Sequence, residues 1–163
     1  MRRRDAVVQV ATGVAALLLA PAALAQAATR SRAAPAQAAP RQPMTVYKSA
    51  SCGCCVEWVK HMERTGFAVT IRDTEDVDAI ATQMGVPTSL RSCHTAVSGR
   101  YVISGHVPGD LVQQLLRERG RQVVGLAVPG MPAGSPGMES PRPEKYQVIE
   151  WRRDGTTRVY ASR

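Results

Sequence analysis

Apolar positions begin to recur with regular periods near residue 44, and the periods change along the chain. Met44-Thr45-Val46-Tyr47-Lys48 is a short apolar and β-branched run, the pattern of a strand. Ser49 to Gly53 is loop. Val56, Val59 and Met62 then step by three with Trp58 beside them, which predicts a helix over Cys54 to Thr65, ended by Gly66. Phe67 to Ile71 alternates as a strand. Val77, Ile80, Ala81 and Met84 predict a second helix, with Thr74 as N-cap and Glu75 and Asp76 in the first turn. Gly85 and Pro87 stop it. His94–Ser98 and Tyr101–Gly105 read as a hairpin across Gly99-Arg100, a glycine-first pair that suits a type II′ turn. Pro108-Gly109-Asp110 opens a third helix with Leu111, Val112, Leu115 and Leu116 on one face, and Gly120 closes it.

From Val123 to Lys145 the pattern dissolves. Pro129, Pro132, Pro136, Pro141 and Pro143 alternate with Gly125, Gly130, Gly134 and Gly137, as in a long functional loop. Tyr146–Trp151 and Thr157–Ala161 make a last hairpin around Asp154-Gly155. The predicted fold is α/β: a thioredoxin-like sandwich, β-α-β then β-β-α, spanning 44–163, with a Pro/Gly-rich loop and an additional C-terminal β-hairpin. No internal repeat is present.

Ahead of residue 44 the composition differs. Arg2, Arg3 and Arg4 precede a mostly apolar run from Ala6 to Ala20, and Ala23-Leu24-Ala25 is a small-x-small cleavage site. Residues 1–25 have the form of a secretory signal peptide. Arg3-Arg4 also admits a twin-arginine route. Residues 26–43, rich in Ala, Pro, Gln and Arg, read as a disordered tether. The expectation is periplasmic export without stable membrane insertion after cleavage. Without residues 1–25 the balance is 18 basic to 12 acidic residues. The basic residues are scattered and there is one Phe, so base stacking on a basic surface is not expected, and neither is nucleic-acid binding.

The chemistry lies in four cysteines. Ser51-Cys52-Gly53-Cys54-Cys55 holds three thiols, and the fourth, Cys93, is followed by His94. Cys52 and Cys55 have C-x-x-C spacing, which serves a redox disulfide or half a metal site. Cys54 has no task in a plain dithiol centre. Placement at a helix amino terminus favours thiolate, the metal-binding form. Thiolates suit Cu(I), zinc and iron–sulfur clusters, but C-x-C-C is not the doubled C-x-x-C of zinc ribbons. Three crowded thiolates fit several sulfur-bridged Cu(I) ions better, so copper is expected and zinc is second. In an oxidising compartment the four thiols could instead form two disulfides, with Cys52–Cys55 and Cys54–Cys93 as one of three pairings.

The hairpin register pairs Ser98 with Tyr101 and His94 with Gly105, which sets Cys93 near His106 on one face. His94 and His106 are therefore candidate ligands, and Met131 and Met138 offer loop thioethers. His61 is expected to be a solvated helix residue.

These residues resemble a known family. Tyr47 to Cys55, Ser92-Cys93-His94-Thr95-Ala96, Gly105-His106-Val107-Pro108, Gly125 to Pro132 and Gly134 to Glu139 are similar to the exported metal-binding proteins of domain of unknown function 411, a CopG-like copper-resistance family. The resemblance covers about Thr45 to Ala161. It implies a thioredoxin-like fold and a periplasmic copper role in which Cys52, Cys54, Cys55 and Cys93 hold a thiolate-bridged Cu(I) cluster, with Cu(I)/Cu(II) redox chemistry. The leading expectation is a copper-binding protein for resistance or homeostasis, meeting other periplasmic copper-handling proteins. A thiol–disulfide oxidoreductase using Cys52 and Cys55 is the alternative. A secreted scaffold stapled by two disulfides is the third.

Overall fold

The structure, a computed structural model, describes residues 40–163. The expected signal segment, 1–25, and most of the expected tether, 26–43, lie outside the described residues. The elements run β1 (Gln42–Lys48), α1 (Gly53–Arg64), β2 (Phe67–Asp73), α2 (Val77–Gln83), β3 (His94–Ser98), β4 (Tyr101–Ser104), α3 (Gly109–Glu118), β5 (Val123–Ala127), β6 (Gln147–Arg152) and β7 (Thr157–Ser162). The seven strands form one mixed sheet in the order β2-β1-β3-β4-β5-β6-β7. β1 with β2 and β4 with β5 are parallel pairs, and the other neighbours are antiparallel.

The sheet separates two cores. Trp58, Val59 and Met62 of α1 and Leu111, Val112 and Leu115 of α3 pack with Val46, Ala96, Ile103, Leu126 and Val148. Ala81 of α2 packs with Val86, Leu90, Val102, Ala127 and Trp151. The alternation along β4, with Tyr101 and Ile103 in the first cluster and Val102 in the second, is the period-two signature of a strand buried on both faces. At the sheet's far end Arg158 grips the buried Glu150 carboxylate through Nε at 2.9 Å and Nη2 at 3.0 Å, which ties β7 to β6.

Several boundaries differ from those expected, each for a local reason. β1 begins two residues early, at Gln42. Asp76, not Thr74, is the N-cap of α2, since its carboxylate accepts from the Ala79 N–H at 2.8 Å. Thr74 instead accepts from the Asp76 N–H through Oγ1, at 3.2 Å. Arg119, not Gly120, takes the left-handed position that ends α3. The stretch expected to be loop from Val123 holds a whole strand, β5. Its run Val123-Val124-Gly125-Leu126-Ala127 is apolar because both faces are covered, which removes the alternation that flags exposed strands. The β3–β4 register is as expected: Ser98 faces Tyr101, and the Gly105 N–H reaches the His94 carbonyl at 3.1 Å. Gly99 has φ 59° and Arg100 does not share the positive φ, as a II′ turn requires.

His61 is not the solvated residue expected. It is half-buried, and its Nε2 accepts from the Gly109 N–H at 3.0 Å. The N-cap of α3 is Pro108, whose side chain makes no cap bond, so an imidazole from α1 satisfies an end donor of α3. Burial pushes the His61 pKa down, helped by Arg64 and opposed by Asp110 and Glu139. The unfolded chain then binds this proton more readily than the folded one, so His61 contributes stability above its ordinary pKa, about 6.5, and that contribution is lost as pH falls below it. The thermal midpoint of the metal-free protein should fall between pH 7.5 and 5.5. In His61→Gln, which keeps an acceptor but does not titrate, the fall should be smaller by a few degrees.

Candidate metal centre

The first turn of α1 carries three of the four cysteines. Cys52 is its N-cap, with no side-chain cap bond and no acidic residue in the first turn, so the positive end of the helix faces the sulfurs. Cys52 and Cys55 are joined as a disulfide, their Cα atoms 5.4 Å apart. Cys54 and Cys93 are free thiols, so the pairing of all four into two disulfides is not formed. Cys54 Sγ lies 3.6 Å from Cys52 Sγ and 4.0 Å from Cys93 Sγ, so it stands between the disulfide and Cys93. A Cβ at Gly53 would meet no atom within 4 Å.

Cys93 comes from the segment entering β3, and it joins two groups of donors. One ligand atom from each of Cys52, Cys54, Cys55 and Cys93 lies within 4.8 Å of the others, and the same limit holds for Cys93, His94 and His106. His106 Nε2 is 3.1 Å from Cys93 Sγ and His94 Nδ1 is 3.4 Å from it. His106 Nδ1 sits 2.8 Å from the Pro136 carbonyl, which can only accept, so that nitrogen carries the proton and Nε2 is bare toward the sulfur. His94 is fully buried against Trp58, ring centroids 4.3 Å apart, and its Nε2 has no hydrogen-bond partner. Trp58 is held in turn by its Nε1–H donating to the Val107 carbonyl at 2.9 Å.

The electrostatics favour a neutral set. Burial, then His106, pushes the His94 pKa down to about 3. Burial also lowers His106, with the Pro136 carbonyl opposing. Cys93 is pushed up to about 12 by burial, then by the Cys54 sulfur. Cys93 is not part of the α1 mouth, where thiolate was expected, and its desolvation outweighs the bonds from Ser92 and the backbone that oppose the rise. A cation entering here meets neutral imidazoles and a thiol, and binding would displace the thiol proton. Two buried imidazoles and a crowd of sulfurs match a soft or borderline metal better than a hard one.

The Pro/Gly loop forms the lid of the sulfur group. Met131 Sδ stands 3.8 Å from Cys54 Sγ, and Met131 remains half exposed. Met138 differs: its backbone closes a turn through Ser135 O and Gly134 N, and no hydrogen bond links its sulfur to the cysteines. Ser92 Oγ donates to the Gly130 carbonyl at 2.6 Å, which ties the lid to the Cys93 segment. Ser92, Trp58, Pro136 and Gly137 all support the site and were not among the candidate residues. For the last two, the sequence signal was the Pro/Gly-rich run that holds Gly134-Ser135-Pro136-Gly137.

The sequence comparison matches residues 90–138 to a family described as "Protein of unknown function, DUF411", a span that holds Cys93, His94, His106, Met131 and Met138. Two solved structures titled "Copper resistance protein copG", Form 2 and Form 1, are 42% identical to this chain. They cover 76% of it, it covers 98% of each, and the TM-scores are 0.72 and 0.71. The chain belongs to the CopG-like DUF411 family. No curated protein matches it. The DUF411 match begins after α2, so the three cysteines of α1 join this family through the structural relatives rather than through the family description.

Gly137 is the residue that seats the DUF411 loop on α1. Its φ is +85°, and a Cβ there would lie 2.7 Å from both the Cys54 carbonyl oxygen and the Trp58 nitrogen. Gly137→Ala should destabilise the fold by about 1–3 kcal/mol in urea denaturation. It should also shift the Met131 methyl resonance as the lid lifts from Cys54. An unchanged methyl signal with full stability would remove the loop from the site.

Proposed function

We propose that this chain is an exported copper-binding protein that takes Cu(I) as cargo on Cys52, Cys54, Cys55 and Cys93. His94, His106 and Met131 complete the donor set, and Met138 supports the lid. The observation that carries this is the meeting of the two donor groups at one sulfur, Cys93. A dithiol enzyme needs neither the third thiol nor buried neutral imidazoles beside the fourth. The names of the two solved relatives, copper resistance proteins, support copper over zinc.

The domain is read as a thioredoxin-like frame from residue 44 onward, extended by β5 to β7. Its support is the β1-α1-β2 and β3-β4-α3 halves, with neighbouring strands in the order β2-β1-β3-β4 and β3 antiparallel to both neighbours. Residues 1–25 direct export to the periplasm and 26–43 tether the domain. Among the described residues no helix is long and apolar enough to cross a membrane.

Loading four thiolates requires the Cys52–Cys55 bond to be opened first. Two electrons and two protons from an external thiol reductant, itself oxidised to a disulfide, convert it to two thiols, and the protons leave when metal binds. That same bond, at a helix mouth, is the specific observation favouring the second function, thiol–disulfide exchange through Cys52 and Cys55. Transfer of copper to or from other periplasmic copper-handling proteins, and Cu(I)/Cu(II) redox chemistry, extend the first.

Anaerobic titration of the reduced protein with Cu(I) against a chromogenic chelator should show more than one ion retained per chain. Cys54→Ala and Cys93→Ser should each weaken retention at least tenfold, and the oxidised protein should retain less than the reduced. Retention unaffected by loss of Cys54, together with insulin reduction that survives it, would favour the oxidoreductase.

A further inference from the structure

At the turn end of the β3–β4 hairpin, away from the sulfurs, the chain gathers arginines that the copper chemistry does not use. A cavity of about 550 Å³ is lined by Gln42, Arg100, Tyr101, Leu116, Arg119 and Arg121. Cys93 and His106 lie at the open end of the same hairpin, some five residues or about 17 Å along the strands. The two places are separate.

Arg100 is fixed in this cavity. Its guanidinium lies over the Tyr101 ring, 4.8 Å from the centroid, and its Nη2 donates to the Tyr101 hydroxyl at 3.1 Å. Nη2 also donates to the carbonyls of Arg119 and Gly120, at the end of α3. Its Nε and Nη1 donors have no partner among the described residues. Arg119 and Arg121 form no ion pair among the described residues either. The nearest acid in sequence, Glu118, is engaged by the Tyr160 hydroxyl at 2.9 Å and by Gln114 Nε2 at 2.7 Å.

Arg119 also has an uncommon backbone conformation. It is the one non-glycine with positive φ among the described residues, at φ 51° and ψ 33°, where a helix end ordinarily places glycine. Gly120 stands one position later. The Arg119 N–H donates to the Leu115 carbonyl at 3.2 Å, and Arg100 takes the carbonyls of Arg119 and Gly120, so this turn holds Arg119 beside Arg100.

We propose that Arg100, Arg119 and Arg121 form a binding site for a multiply charged phosphate-class anion, seated between the end of α3 and the hairpin turn. Three planar guanidinium forks match phosphate oxygens in geometry and charge. Arg100 is anchored, and Arg119 and Arg121 close on the ligand from a short connection between α3 and β5. The cavity exceeds the size of one phosphate, so a pyrophosphate or a phosphorylated headgroup fits it.

The test uses the full chain in two arms. Inorganic pyrophosphate is titrated calorimetrically at low salt, and phosphatidic acid vesicles, whose phosphomonoester headgroup can carry two charges, are co-sedimented against phosphatidylcholine vesicles. Binding in either arm is expected, and the arm that binds tells a soluble anion from a lipid headgroup. Arg119→Gly should raise the thermal midpoint, by relieving the left-handed residue, while weakening binding at least tenfold. Arg121→Gln should weaken it similarly. Arg72→Gln removes the same charge at the other end of β2, five residues from the partner of Gln42, and should leave binding unchanged. Absence of binding in both arms, equal weakening by Arg72→Gln, or full binding by Arg119→Gly would overturn the proposal.

Discussion

The register of the β3–β4 hairpin is the constraint on which the candidate metal centre depends. Cys93 precedes β3 and His106 follows β4, so the two meet only if each residue of one strand faces the right residue of the other. The two-residue turn at Gly99-Arg100 sets that pairing, and a slip by one residue would send every side chain to the opposite face. With the register in place, Cys93 Sγ comes within 3.1 Å of His106 Nε2. β1 beside β3 then brings the mouth of α1, with Cys52, Cys54 and Cys55, to the same edge. The lid follows, because Gly137 can lie on the first turn of α1 only when that turn is in position. A change far from the sulfurs, at the turn, therefore reaches the site through backbone pairing alone.

Burial gives the centre its chemical character. His94 and His106 are fully buried, and desolvation holds both imidazoles neutral, while Cys93 is held as a thiol. Such a pocket offers little to a small hard cation, which needs charged oxygen ligands. It suits an ion that bonds strongly enough to sulfur to displace a proton. The unpartnered His94 Nε2 costs about 1–3 kcal/mol in an apolar setting. Met131 contributes an uncharged sulfur from the exposed side, so the centre has a buried imidazole wall and a solvent-facing thioether.

Much of this was legible in the chain, because strong local signals carried it. The helices announced themselves by period, and the glycine-first turn specified the register that joins Cys93 to His106. Three features were hidden, each by a tertiary effect. β5 was lost among prolines and glycines because a strand covered on both faces shows no alternation. His61 looked like surface because its partner, the Gly109 N–H, lies 48 residues away. Asp76 took the cap from Thr74 because both can cap and only three-dimensional placement of the following turn decides between them. The disulfide was one of several pairings the spacing allowed, and the fold brings Cys54 close to Cys93 without bonding them.

The central claim is that sulfur, gathered from the mouth of α1 and the entry to β3, is the copper ligand. Copper K-edge X-ray absorption on reduced protein loaded anaerobically addresses it most directly. A first shell dominated by sulfur, with a smaller imidazole contribution that diminishes in His106→Ala, is the predicted result. A shell of nitrogen and oxygen alone, unchanged when Cys54 or Cys93 is replaced, would contradict it.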